Sequence, residues 1–121
     1  MSVRAAIALA LTLLLPAIAD AHAVLVKSSP ARRAVLAQSP ARVELTFNER
    51  LEPAYSTLSV WAAGEQRVDD GKVVIAPDSP RRVSVGLPSL SAGAYTVRFR
   101  VLSVDGHLVE GTYQFEIRPR P

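Results

Sequence analysis

A chain of 121 residues with no cysteine and a formal net charge of +3 has room for one small domain. It cannot form a disulfide, a thiolate metal site or a thiol nucleophile. Its basic residues are scattered among acids, with Arg32-Arg33 and Arg81-Arg82 as the only adjacent pairs, and the lack of basic density with interleaved aromatics argues against nucleic-acid binding.

The first segment is of export type. Arg4 gives a short positive region, residues 5–15 are an apolar run with Thr12 as its one polar residue, and Pro16 breaks the run ahead of small residues. That run is too short to span a bilayer, which needs about 20 residues. Ala19-Asp20-Ala21 is a small-x-small cleavage site, so residues 1–21 are expected to be a signal peptide and residues 22–121 the mature, exported domain. Cleavage after Ala21 makes His22 the new amino terminus. Ala17-Ile18-Ala19 also fits a cleavage site and would leave Asp20 first. The only methionine, Met1, leaves with the signal, so the mature chain contains no sulfur.

From here the chain reads as short strands divided by turn residues. Residues 23–27 are the first expected strand, closed by Ser28-Ser29-Pro30. Residues 34–38 lead to Ser39-Pro40, after which Val43, Leu45 and Phe47 alternate with Glu44 and Thr46, the period of a half-buried strand. Residues 57–62 follow, then a turn at Gly64, a tight turn at Asp69-Asp70-Gly71, and strands at 72–76 and 82–86. In residues 94–104, Tyr95, Val97, Phe99 and Val101 face one way and Thr96, Arg98 and Arg100 the other; Tyr113, Phe115 and Ile117 repeat the pattern. About seven strands with frequent turns predict an all-β, immunoglobulin-like Greek-key sandwich or barrel. Tyr95, Phe99, Tyr113 and Phe115 are expected in its core.

The chain's two histidines are His22 and His107. An amino-terminal histidine is a bidentate ligand, because its free α-amine and its Nδ1 can close a six-membered chelate ring. His107 follows an aspartate at two-residue spacing in Asp105-Gly106-His107. If the backbone stays extended there, the carboxylate and the imidazole point to one side. Alternatively, Asp105-Gly106 is simply a hairpin turn and His107 an exposed loop residue. An amine, two imidazoles and a carboxylate form a nitrogen/oxygen set suited to tetragonal Cu(II), whereas Cu(I) wants the soft sulfur ligands this chain lacks.

These residues also carry a resemblance. His22-Ala23-x-Leu25 with Ser29-Pro30-Ala31, the run from Val43 to Glu49, Leu90-Ser91-Ala92-Gly93-x-Tyr95-x-Val97, and Ser103-x-Asp105-Gly106-His107 with Gly111 and Phe115 resemble CopC-type periplasmic copper-binding proteins. The likeness covers the whole mature chain. It implies a seven-stranded Greek-key barrel that binds one Cu(II) through His22, Asp105 and His107. Glu49 matches a family glutamate near the copper, equally readable as a solvated strand-end acid. Some family members hold Cu(I) in a Met-rich loop, but residues 59–74 contain no Met or His, so no Cu(I) thioether site is expected. The resemblance further implies a monomer acting in periplasmic copper homeostasis or resistance. It would hand copper to a CopD-type inner-membrane copper transporter or a periplasmic copper oxidase.

Two other classes compete with a non-catalytic carrier. The copper brace of polysaccharide monooxygenases also pairs an amino-terminal histidine chelate with a second histidine. That chemistry needs an open axial position and an extended substrate face, and here most aromatics fall at core parity. A metal-free immunoglobulin-like interaction module is the third class. A Ser-His-Asp hydrolase is excluded by the single internal histidine and the absence of a Gly-x-Ser-x-Gly elbow.

Overall fold

Period-two patterning becomes strands wherever one face can be buried. Val43, Leu45 and Phe47 are buried while Glu44 and Thr46 between them are half-exposed, so alternate side chains enter the core as the pleat requires. The computed structural model describes residues 23–121; the expected signal segment and His22 lie outside the described residues. The strands are β1 (Leu25–Ser29), β2 (Val35–Leu36), β3 (Arg42–Phe47), β4 (Thr57–Ala62), β5 (Gln66–Arg67), β6 (Arg82–Gly86), β7 (Gly93–Leu102) and β8 (Leu108–Ile117). The one helical turn among the described residues is a 3-10 turn at Pro53–Tyr55, and no helix among them is long and apolar enough to cross a membrane.

Two sheets form, in the orders β1-β3-β6 and β2-β8-β7-β4-β5. Pairing is antiparallel except for β2, which runs parallel to β8. Between the sheets lie Val43, Leu45 and Phe47 of β3, Val83 and Val85 of β6, Leu58 and Val60 of β4, and Tyr95, Val97, Val101, Tyr113, Phe115 and Ile117 of β7 and β8. Phe47 and Phe99 meet edge to face across the sheets at 5.8 Å, and Tyr95 stacks on Phe115 at 5.5 Å, both favoured aromatic geometries. The Tyr113 hydroxyl donates to the Pro30 carbonyl at 2.9 Å, which ties β8 to the segment following β1. The all-β sandwich expected from the alternation is present, with Phe99 only partly buried.

Several boundaries differ from the sequence expectation: β1 runs on to Ser29, β7 covers Gly93–Leu102 rather than residues 94–104, and β5 was not expected. The first strand starts at Leu25 rather than residue 23, because Val24 bonds with Asn48: its N–H donates to Asn48 Oδ1 at 2.6 Å and its carbonyl accepts from the Asn48 N–H at 3.1 Å. Residues 72–76 make a single bridge, Val74 to Ser84, instead of a strand. Asp70 Oδ1 accepts from the Lys72 N–H at one end, and a turn from Ala76 to Ser79 closes the other, leaving too few residues between to extend the ladder.

Candidate metal site

The long hairpin β7–β8 ends in the pair Leu102–Leu108, and the five residues between carry Asp105 and His107. Ser103 N–H donates to the His107 carbonyl and Gly106 N–H donates to the Ser103 carbonyl, both at 2.9 Å. Gly106 has φ +90°, a left-handed position that glycine takes without strain and that a short hairpin loop requires. The Asp-Gly turn reading is therefore correct, and the extended geometry assumed for 105–107 is not.

Turned rather than extended, the loop still brings the two side chains together. His107 Nδ1 lies 3.1 Å from Asp105 Oδ2, and both side chains stay open to solvent, at 41% and 36% exposure. The other oxygen, Asp105 Oδ1, accepts a hydrogen bond from the Ser103 hydroxyl. That hydroxyl in turn accepts from the His107 N–H at 3.1 Å. The bond from Ser103, ahead of a small opposing desolvation and the contacts with His107, holds the Asp105 carboxyl below its ordinary range. An anionic carboxylate beside an imidazole is thus presented at the tip of the hydrogen-bonded β7–β8 hairpin.

The segment after β3 links this loop to the start of the described chain. On one side Asn48 bonds Val24 through both side chain and backbone, next to the buried Ala23. On the other, Val104 N–H donates to the Arg50 carbonyl at 2.9 Å, Glu52 N–H donates to the Leu102 carbonyl at 2.8 Å, and Leu51 bridges Ser103. Ala23 and the Asp105–His107 loop therefore flank residues 48–52 at one end of the sandwich. Glu49 sits in that segment, half-buried. Among the described residues, no group of three His, Cys, Asp or Glu side chains gathers.

The sequence pattern had not singled out Ser103 and Asn48 for any role. Ser103 is 1% exposed, and a serine two residues after the buried Val101, at core parity and just ahead of Asp105, was the available signal. In the region 59–74, Asp69 takes the central place. Its side chain is inaccessible and accepts from the Val60 and Gly71 N–H groups at 2.8 Å and from Arg67 at 2.9 Å.

Comparison with known proteins agrees with this architecture. Residues 25–118 match the family model of the CopC domain. The chain is 36% identical over 104 residues to the copper transport protein CutJ of Bacillus subtilis, covering 85% of this chain but only 19% of that longer protein. Among solved structures it resembles CopC from Methylosinus trichosporium OB3b, with 41% identity, a TM-score of 0.77, and coverage of 83% of this chain and 97% of that one. It also resembles PcoC, a methionine-rich copper resistance protein from Escherichia coli, with 28% identity, a TM-score of 0.70, and coverage of 81% and 100%.

Proposed function

The chain belongs to the CopC domain family, and from that premise we propose that it is an exported carrier that captures one Cu(II) ion and passes it on without catalysis. The donors are the α-amine and Nδ1 of His22, freed by cleavage after Ala21, together with the Asp105 carboxylate and the His107 imidazole. The observation that carries the reading is the pairing of His107 Nδ1 with Asp105 Oδ2 at 3.1 Å. Two cis ligands on bonds of about 2.0–2.2 Å stand roughly 3 Å apart, so the pair needs little rearrangement to share an ion. Further support comes from the anchoring of Val24 to Asn48, on the segment that also holds the Asp105–His107 loop.

Copper stands at the top of the divalent affinity order, and a nitrogen/oxygen set without sulfur suits its cupric state. Asp105 contributes a negative charge that partly neutralises the ion. Glu49 follows Asn48 on that segment, and its proposed part is to orient His22 or its amine from behind the ligands. The ion is cargo, received in the periplasm and handed to an envelope partner such as a CopD-type inner-membrane transporter or a periplasmic copper oxidase.

Competition titration of the processed protein with Cu(II) against a chelator of known affinity tests the reading. His22→Ala and His107→Ala are each expected to weaken binding by more than the ~10–100-fold typical of outer-shell partners. Wild-type affinity in either variant would contradict the site.

A further inference from the structure

Asp105 is an exposed residue on a turn. The terminal torsion of an aspartate is broad and two-fold rather than locked into a staggered well. Left to itself, the carboxylate would turn freely and offer either oxygen, or both, to an ion. In the structure it does not turn freely, because Oδ1 is engaged by the Ser103 hydroxyl and Oδ2 faces His107 Nδ1 at 3.1 Å.

We propose that Ser103 is a positioning residue for metal capture, whose hydroxyl fixes the Asp105 carboxylate so that Oδ2 alone is presented beside His107. This rests on the Cu(II) site described above and adds a residue to it. Ser103 suits the task because it is itself buried and hydrogen-bonded on its backbone. It is 1% exposed, bridges Leu51 of the neighbouring segment, and is held through its backbone by His107 and Gly106. The hydroxyl has one proton and two candidate acceptors, Asp105 Oδ1 and the His107 carbonyl at 3.3 Å. The ionised carboxylate is the stronger acceptor and takes it. The lone pairs then accept the His107 N–H at 3.1 Å, while the loop backbone is closed independently by the Ser103 N–H to His107 carbonyl bond, so the hydroxyl acts on the site through the carboxylate.

Removing the hydroxyl leaves the turn's two backbone bonds, from Ser103 N–H to the His107 carbonyl and from Gly106 N–H to the Ser103 carbonyl. Ser103→Ala is therefore expected to fold and melt cooperatively without metal. Its Cu(II) affinity, read by chelator competition on the processed protein, is expected to fall about 10–100-fold, with shifted g and copper hyperfine values in the EPR spectrum as the carboxylate is released. In an Asp105→Ala background the same substitution is expected to change affinity by less than about threefold, because the two residues act as one unit. Wild-type affinity and an unchanged spectrum in Ser103→Ala would overturn the proposal. So would an equal loss in the Asp105→Ala background, or a variant that fails to fold, since either assigns the hydroxyl to structure alone. If the wild-type protein itself binds Cu(II) weakly, the underlying site falls and the proposal with it, an outcome distinguished by the wild-type titration.

Discussion

Two carboxylates in this chain are kept ionised by different means, and they predict different things. Asp69 is shut away from solvent, which by itself pushes its carboxyl up; the bonds from Arg67, Val60 and Gly71 outweigh that and hold it below the ordinary range. A folded pKa below the unfolded one gives stability that is complete above the ordinary aspartate value of about 3.9 and is lost as pH falls through the folded value. Asp69→Asn is expected to cost about 2–3 kcal/mol at pH 7. The gap between its melting temperature and that of wild type should narrow in melts recorded below about pH 4. Asp105 is open to solvent, and the role proposed for it is in binding rather than in the fold. The proposed copper capture has its own pH dependence. An α-amine ordinarily holds its proton up to pH ~7.7–8.0 and must lose it to bind metal. Cu(II) affinity should thus drop on acidification, and proton release should be measurable when Cu(II) is added in weak buffer. At this scale the pairing of Asp105 with His107 was readable because the chain has one internal histidine in an aspartate context. Ser103 and Asn48 were not, since their roles arise from which backbone groups the closed turn and the paired strand present to them.

Among the elements, β4 at Thr57–Ala62 and β6 at Arg82–Gly86 coincide with the residues expected from alternation, because each has one face against the core and turn residues at both ends. The beginning of β1 and the segment 72–76 were misjudged for a common reason. Side-chain carbonyl and carboxylate oxygens of Asn48 and Asp70 take backbone N–H groups that a strand would spend on its neighbour, and this competition leaves no mark in hydrophobic periodicity. The hairpin β7–β8 carries a packing constraint of its own. Phe99 and Gly111 face each other in its register, and a Cβ on Gly111 would meet the Phe99 ring at 2.5 Å. Gly111→Ala must displace that ring from its edge contact with Phe47. A destabilisation of about 1–3 kcal/mol is expected from such overpacking, to be read as a lowered denaturation midpoint in urea. An unchanged midpoint would mean that the ring moves aside freely.

The molecule as a whole brings distant parts of the chain to one end of the sandwich. Residues 23–24 and the loop 103–107 are held there by opposite sides of the segment 48–52. Alternation predicts an all-β sandwich and which face of the longer strands is buried, but it says nothing about which loops become neighbours, so this meeting was legible only through family resemblance. It would give the proposed site a dependence on processing. The chelating amine would exist only once the chain begins at His22, and a single extra residue before it would convert the amine into an amide. The most direct test is a Cu(II) titration of the exported protein, its first residue read from intact mass, followed by EPR. A chain starting at His22 with one tight, tetragonal, nitrogen-rich copper signal, lost when one residue is added ahead of His22, is the predicted result. A chain that starts at His22 yet takes up no copper tightly, or binds it equally well with the added residue, would contradict the account.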